Sequence, residues 1–281
     1  MNKKTTLSEA VAILKDAGID DPAHEARALF SHFENIPVYR LIGGDFTSHN
    51  PSLCQAVRRR ASREPLQYIL GECGFWRETY RVTPAVLIPR EDTEILVGYA
   101  VKNLPSGARV LDLCTGSGCI AISTVASVES SSAVAVDISR EAIEVAKENA
   151  ILNKVGGRVE FLQSDALAYL PPDGQKFDAI LSNPPYVKDE VYKTLPPEIM
   201  YEPRAAFVGG GDGCNFYRAL TERFLPYLKE DGFIGYEIGY DQAEAIAEIA
   251  DKNGCYSKII SDLSSNPRVA ILTPKKPEER I

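Results

Sequence analysis

Asn183-Pro184-Pro185-Tyr186 joins an amide side chain to two rings that fix φ and carry no N–H, followed by an aromatic residue. A loop of this composition offers oxygen acceptors: the Asn183 side chain and the main-chain carbonyls. A pair of acceptors suits a planar –NH2 on an sp2 carbon, because both hydrogens can be held while the nitrogen faces an electrophile. Adenine, cytosine and glutamine carry that group. Its lone pair is delocalised and a poor nucleophile, so alignment, and hydrogen bonds that favour developing positive charge, must lower the barrier. Tyr186 can cover the planar group with its ring. An isolated Asn-Pro-Pro also reads as a proline turn after a core strand. The aromatic at the fourth position and a second loop upstream favour the chemical reading.

That second loop is Cys114-Thr115-Gly116-Ser117-Gly118, entered from apolar Val110-Leu111-Asp112-Leu113 and left through Cys119-Ile120-Ala121-Ile122. Glycine lacks the Cβ that would keep a cofactor off the backbone. A second apolar run, Ala133 to Val136, ends in Asp137, which is placed to accept hydrogen bonds from ribose hydroxyls. A third, Arg158 to Gln163, runs out to Ser164-Asp165-Ala166, whose polar tip can reach an adenine amino group; taken alone, Asp165 would be a cap for the next segment. Three strand ends at the carboxyl edge of a parallel sheet predict an adenosine-containing cofactor. Gly116 to Ala121 also fits the G-x-G-x-x-A dinucleotide fingerprint, which makes an NAD-dependent dehydrogenase the rival. All three histidines, His24, His32 and His49, lie in the first 50 residues. The rival therefore lacks its usual acid/base group in the cleft, and the acceptor loop has no task in hydride transfer.

These loops need strands and helices to hold them. From Ala85 onward, alternating strand and helix patterns predict a doubly wound parallel sheet. Phe177 to Ser182 reads as the buried strand before Asn183. Ser139 opens a helix packed through Ala142, Val145, Ala146 and Ala150. After the acceptor loop, helix is expected over 215–228, strand over 232–238 and helix over 241–252. Residues 1–70 read as a small helical domain: Leu7, Val11, Leu14 and Ala17 share a face, while Asp21-Pro22 and Asn50-Pro51 start further helices. Residues 71–84, with Phe75, Trp76, Tyr80 and Val82, suggest a hairpin linker, and 85–281 the catalytic domain. Gly209-Gly210-Gly211-Asp212-Gly213 lacks the lysine of a phosphate loop and reads as a mobile turn.

The 281 residues are 44% hydrophobic and 25% charged, as in soluble globular proteins, and no apolar run is long enough to span a bilayer. Met1-Asn2-Lys3-Lys4 begins no signal peptide, which points to the cytoplasm. Cys54, Cys73, Cys114, Cys119, Cys214 and Cys255 form no C-x-x-C pair, so no metal site is expected and the thiols read as reduced. Net charge −8 disfavours extended nucleic acid. The basic run Arg58-Arg59-Arg60 with Arg63 reads as a solvated helix face. A monomer is the default.

The chain resembles the release-factor glutamine methyltransferases of the PrmC/HemK type, within the class I S-adenosylmethionine-dependent methyltransferases. The likeness rests on Asn183-Pro184-Pro185-Tyr186, Pro65 to Gly71, Leu87-Ile88-Pro89-Arg90-Glu91-Asp92-Thr93-Glu94, Tyr201-Glu202-Pro203 and Tyr236-Glu237-Ile238-Gly239. The resemblance implies an α/β Rossmann-like doubly wound sheet with a small N-terminal helical substrate-docking domain joined by a β-hairpin. It implies methyl transfer from S-adenosyl-L-methionine to the side-chain amide nitrogen (N5) of the glutamine in the Gly-Gly-Gln loop of peptide chain release factors, leaving S-adenosyl-L-homocysteine. Cys114, Thr115, Gly116, Ser117, Gly118, Asp137, Asp165, Ala166 and Asn183 would then hold the cofactor, and Asn183, Pro184, Pro185 and Tyr186 the substrate amide. Cys114 stands where many relatives have glycine, and Ala166 where some have a bulky aromatic. Ribosomal-protein glutamine methylation and DNA or RNA amino-group (adenine N6) methylation are the alternatives that share the acceptor loop. The second of these usually needs a positive recognition surface.

Overall fold

The computed structural model describes residues 4–275, so Met1-Asn2-Lys3 lies outside the described residues. The described residues form two compact units, one from the N-terminal part up to residue 72 with 196–201, the other 73–195 with the rest from 202 onward.

In the first unit, β1 (Thr5–Thr6) leads into α1 (Leu7–Asp16), then come α2 (Pro22–Glu34), β2 (Thr47–Ser48), α3 (Pro51–Ala61) and α4 (Leu66–Leu70). Local chemistry sets the helix starts. Thr6 and Glu9 form a reciprocal capping box, and Asp21 and Asn50 cap α2 and α3 ahead of a first-turn proline. The face of α1 turned to the core carries Leu7, Ala10 and Leu14, while Val11 and Ala17 are half-buried. The basic run differs from its sequence reading. Arg60 is buried and ion-paired with Glu25 and, at 3.1 Å, with Glu198; Arg63 reaches Glu198 at 2.8 Å and Arg59 reaches Glu64 at 2.5 Å. The cause lies far along the chain. The short segment Pro196–Tyr201 supplies Glu198, and no local pattern around Arg60 announces it.

The second unit opens at Cys73 within β3 (Glu72–Phe75), which pairs with β4 (Glu78–Arg81) as a two-stranded sheet whose Phe75 and Tyr80 are buried in the main core. There follow α5 (Thr93–Asn103), β5 (Arg109–Leu113), α6 (Cys119–Ser127), β6 (Ser132–Asp137), α7 (Arg140–Leu152), β7 (Val159–Gln163), β8 (Phe177–Ser182), α8 (Asp189–Tyr192), α9 (Asn215–Phe224), β9 (Leu228–Glu237), α10 (Ala243–Lys252), β10 (Cys255–Ser261) and β11 (Pro267–Pro274). Seven strands make one sheet in the order β10-β11-β9-β8-β5-β6-β7. The run β9-β8-β5-β6-β7 is parallel, and β11 pairs antiparallel with both β9 and β10.

Strand alternation splits the core into two layers. Val110, Ala133, Ala135, Ala179 and Leu181 face α5, α6 and α7, whereas Leu111, Leu113, Val134, Val136 and Ile180 face α9 and α10. This is the doubly wound α/β architecture expected from the sequence. Its strand order reverses at β5, whose neighbours are β6 and β8, and ligands of open α/β sheets bind beyond the strand ends at such a switch point. Smaller differences concern boundaries. The α9 helix stops at Phe224 and passes into a 3-10 turn at Pro226, and β9 begins at Leu228 rather than near 232. In α7 the buried positions include Ile143 and Asn149, with Val145 half-buried.

Candidate active site

The strand ends at the switch point carry the two loops singled out by their chemistry. A cavity of about 310 Å³ is walled by Cys114 and Gly116 after β5, Asp137 at the end of β6, Asp165 and Ala166 after β7, and Asn183 and Pro185 after β8. Seven of the candidate residues therefore meet at one space. Thr115, Ser117, Gly118, Pro184 and Tyr186 are not among its walls. Those five sit within the two loops, and Thr115 and Ser117 are buried.

Several contacts fix the first loop. The Thr115 hydroxyl donates to Asp112 Oδ2 at 2.5 Å, and Ala121 N–H donates to the same oxygen at 3.2 Å. Asp112 Oδ1 has no hydrogen-bond partner among the described residues, and burial pushes this carboxyl up to about 7 against those two bonds. Asn149 on α7 donates to the Ser117 carbonyl at 2.9 Å and to the Arg81 carbonyl at 3.0 Å, and accepts from Arg81 N–H at 2.6 Å. This buried side chain thus ties the loop to β4. Cys114 takes φ +62, a conformation that strains a residue with a Cβ. Burial raises its thiol far above the ordinary range, with Asp137 and Asp112 adding to the effect, so the group is a neutral wall rather than a nucleophile.

Asp137 is more engaged than its position in the sequence suggests. Its Oδ2 accepts from Gly116 N–H at 2.8 Å and its Oδ1 from Ser139 N–H at 2.9 Å. Burial raises its carboxyl while these amides pull it down. Each oxygen keeps a further lone pair, so the carboxylate can still accept from a diol. Asp165 accepts from Leu167 N–H at 2.8 Å within its turn and also borders the cavity.

The space fits an adenosine-bearing donor. A Cβ built on Gly116 meets no atom within 4 Å, so the loop backbone opens onto room that any larger residue would occupy. An acidic side chain on β6 and a polar tip after β7 complete the donor set.

The second loop rests on contacts that the sequence did not disclose. Asn183 Nδ2 donates to Thr93 Oγ1 at 3.2 Å, and the Thr93 hydroxyl donates to Glu237 Oε2. The Tyr186 hydroxyl donates to Glu237 Oε1 at 3.1 Å. Glu237 is buried at the end of β9; burial raises its carboxyl, and the bonds from Thr93 and Tyr186 counter this. Burial first, then Glu237, raises the Tyr186 phenol well above its usual value, so Tyr186 stays a donor. Among the described residues no peptide bond is cis, so Asn183–Pro184 is trans.

The glycine-rich segment packs as a back wall for this loop. An added Cβ at Gly209 would lie 2.4 Å from the Pro185 carbonyl oxygen, and one at Gly213 would lie 2.4 Å from the Tyr186 carbonyl oxygen. Gly209 N–H donates to the Val187 carbonyl at 3.0 Å, and Val187 pairs with Val208. The sequence reading as a mobile turn missed this role, because glycine chosen for close backbone approach has the same composition as glycine chosen for a turn. Arg90, with no fixed role in the sequence, is ion-paired with Glu202, which also accepts from Ile88 N–H at 3.0 Å. Glu202 thereby fixes the segment after Leu87, itself a wall of the cavity together with Pro203.

Residues 5–71 match the family model described as PrmC N-terminal domain, and residues 91–214 the one described as methyltransferase small domain. A release factor glutamine methyltransferase of Fusobacterium nucleatum is 36% identical over 94% of this chain and 77% of its own length. One from Caulobacter vibrioides is also 36% identical, over 95% of this chain and 94% of its own. A methyltransferase from Pyrococcus furiosus shares the fold, with a TM-score of 0.52 at 20% identity over 70% of this chain and 89% of that one.

Proposed function

The chain belongs to the release factor glutamine methyltransferases, and we propose that it performs their reaction with the acceptor loop as the amide clamp and the adjoining cavity as the site for S-adenosyl-L-methionine. The observation that carries this reading is the shared cavity. Asn183 and Pro185 wall the same space as Cys114, Gly116, Asp137 and Asp165, so an amide held by the clamp lies next to a cofactor held by the sheet edge.

Cys114, Gly116, Asp137, Asp165 and Ala166 would hold the cofactor, which when bound supplies a methyl group on a positively charged sulfur. Asn183 Oδ1 and the Pro184 carbonyl accept the two hydrogens of the glutamine carboxamide and turn its nitrogen toward that carbon. Both acceptors gain strength as the nitrogen becomes positive, so they favour the transition state over the ground state. The methylated nitrogen is strongly acidic and loses its proton to water without a dedicated base. Residues 1–70 serve as the docking domain for the release factor, 71–84 as the linking hairpin and 85–281 as the catalytic domain. The dehydrogenase reading is disfavoured, since no histidine occurs beyond residue 49 and the acceptor loop has no task in hydride transfer.

The test is incubation with labelled S-adenosylmethionine and, in parallel, a peptide chain release factor, a ribosomal protein fraction and unmethylated DNA. Label is expected in the release factor, at the glutamine of its Gly-Gly-Gln loop. Label in DNA or in ribosomal protein alone would overturn the proposal.

A further inference from the structure

Asn183 can hold a substrate amide only if its oxygen, and not its NH2, is presented, and a carboxamide has nearly the same shape either way round. We propose that Thr93, set by Glu237, is the positioning residue that fixes this orientation; the inference rests on the clamp reading above. Three geometric facts carry it. The Glu237 carboxylate accepts at both oxygens, from the Thr93 hydroxyl at Oε2 and from the Tyr186 hydroxyl at Oε1, at 3.1 Å for the latter. The Thr93 hydroxyl gives its one proton to Glu237 Oε2, so Thr93 Oγ1 acts toward Asn183 as an acceptor. The group of Asn183 facing Thr93 at 3.2 Å must then be Nδ2, which leaves Oδ1 for the substrate.

The chain of bonds is sheltered from water. Thr93 and Glu237 are 2% and 3% exposed, so solvent does not readily replace a missing partner. The relay also links two of the stretches on which the family likeness rests, Leu87 to Glu94 and Tyr236 to Gly239. Thr93 begins α5 and reaches Asn183 across 90 positions, while Glu237 ends β9 and reaches Tyr186 across 51 and Thr93 across 144. Tyr186 closes the arrangement from within the clamp itself, so the same carboxylate orients the first residue of the loop and anchors the last.

The experiment uses single-turnover methylation of the release factor together with direct cofactor binding. Thr93→Val keeps the shape and removes the hydroxyl; transfer should slow about 10- to 100-fold, the range expected for leaving a buried amide without its partner, with cofactor Kd changed less than about threefold. Thr93→Ser should restore the rate to within about threefold of the parent. In the Asn183→Ala background, Thr93→Val should cause no further loss, because Thr93 acts only through Asn183. If Thr93→Val does not fold, Thr93→Ala removes the same hydroxyl with less bulk and should show the same split between rate and binding. A parental rate in a folded hydroxyl-free variant overturns the inference. So does an equally slow Thr93→Ser, or an undiminished effect of Thr93→Val in the Asn183→Ala background. A parental rate for Asn183→Ala alone would instead refute the clamp.

Discussion

Substituting Gly209 by alanine tests whether the glycine segment sets the clamp position. The φ of Gly209 lies outside the left-handed region, so alanine adds no backbone strain and acts through volume alone. Its Cβ would stand 2.4 Å from the Pro185 carbonyl oxygen and 2.9 Å from Tyr186 Cα, both main-chain atoms that have no rotamer to escape into. An ordinary carbon–oxygen contact is about 3.3 Å or more, so the two segments must part by roughly 0.9 Å. Overpacking of this kind costs about 1–3 kcal/mol of stability. A displacement near 1 Å at reacting groups costs on the order of 10²-fold in rate. Gly209→Ala should therefore slow single-turnover methyl transfer about 30- to 100-fold, with cofactor Kd far less affected because the glycine loop after β5 is untouched. Gly157→Ala is the control: nothing lies within 4 Å of its added Cβ and its φ is not left-handed, so stability and rate should hold. A parental transfer rate in folded Gly209→Ala would refute the reasoning, as would equal losses of rate and cofactor affinity.

Burial of Asp112 gives a pH dependence with a definite sign. Its folded pKa of about 7 lies above the ordinary carboxyl value of 3.8, so between those pH values the folded state binds more protons than the unfolded one. Its favourable contribution is present below about 4 and is lost as pH rises through 7, at most about 4 kcal/mol in all. Chemical denaturation of the ligand-free protein should show parent stability falling relative to Asp112→Asn between pH 5 and 8; a pH-independent difference would contradict it. Glu202→Ala removes the acceptor for Ile88 N–H and the ion partner of Arg90. Amide hydrogen exchange at Ile88 should accelerate about tenfold or more in this variant, and an unchanged rate would show that Glu202 does not hold the segment.

Much of the fold and part of the site were legible in the sequence because they depend on local rules. Asp21-Pro22 and Asn50-Pro51 announce helices through capping chemistry, and the apolar runs ending at Leu113, Asp137 and Ser182 announce parallel strands that lead into the cavity walls. The relatives bear out the family, the fold and glutamine methylation. What the sequence did not disclose depends on contacts between distant segments. Glu198 reaches Arg60 and Arg63 across more than 130 positions, and Glu237 reaches Thr93 across 144. Gly209 is required by backbone proximity, which leaves no periodicity to read. Asn149 looks like an ordinary polar residue of α7 until its three bonds to the loop and β4 are seen.

The most direct test of the clamp is the rate of a single methyl transfer by Asn183→Ala, measured with release factor and S-adenosylmethionine both saturating and set beside the cofactor Kd of the same variant. Loss of one oxyanion-hole-type partner predicts a rate lower by about 100-fold or more with cofactor Kd within about threefold of the parent. An unchanged rate, or affinity for the cofactor lost in the same proportion as rate, would contradict the account.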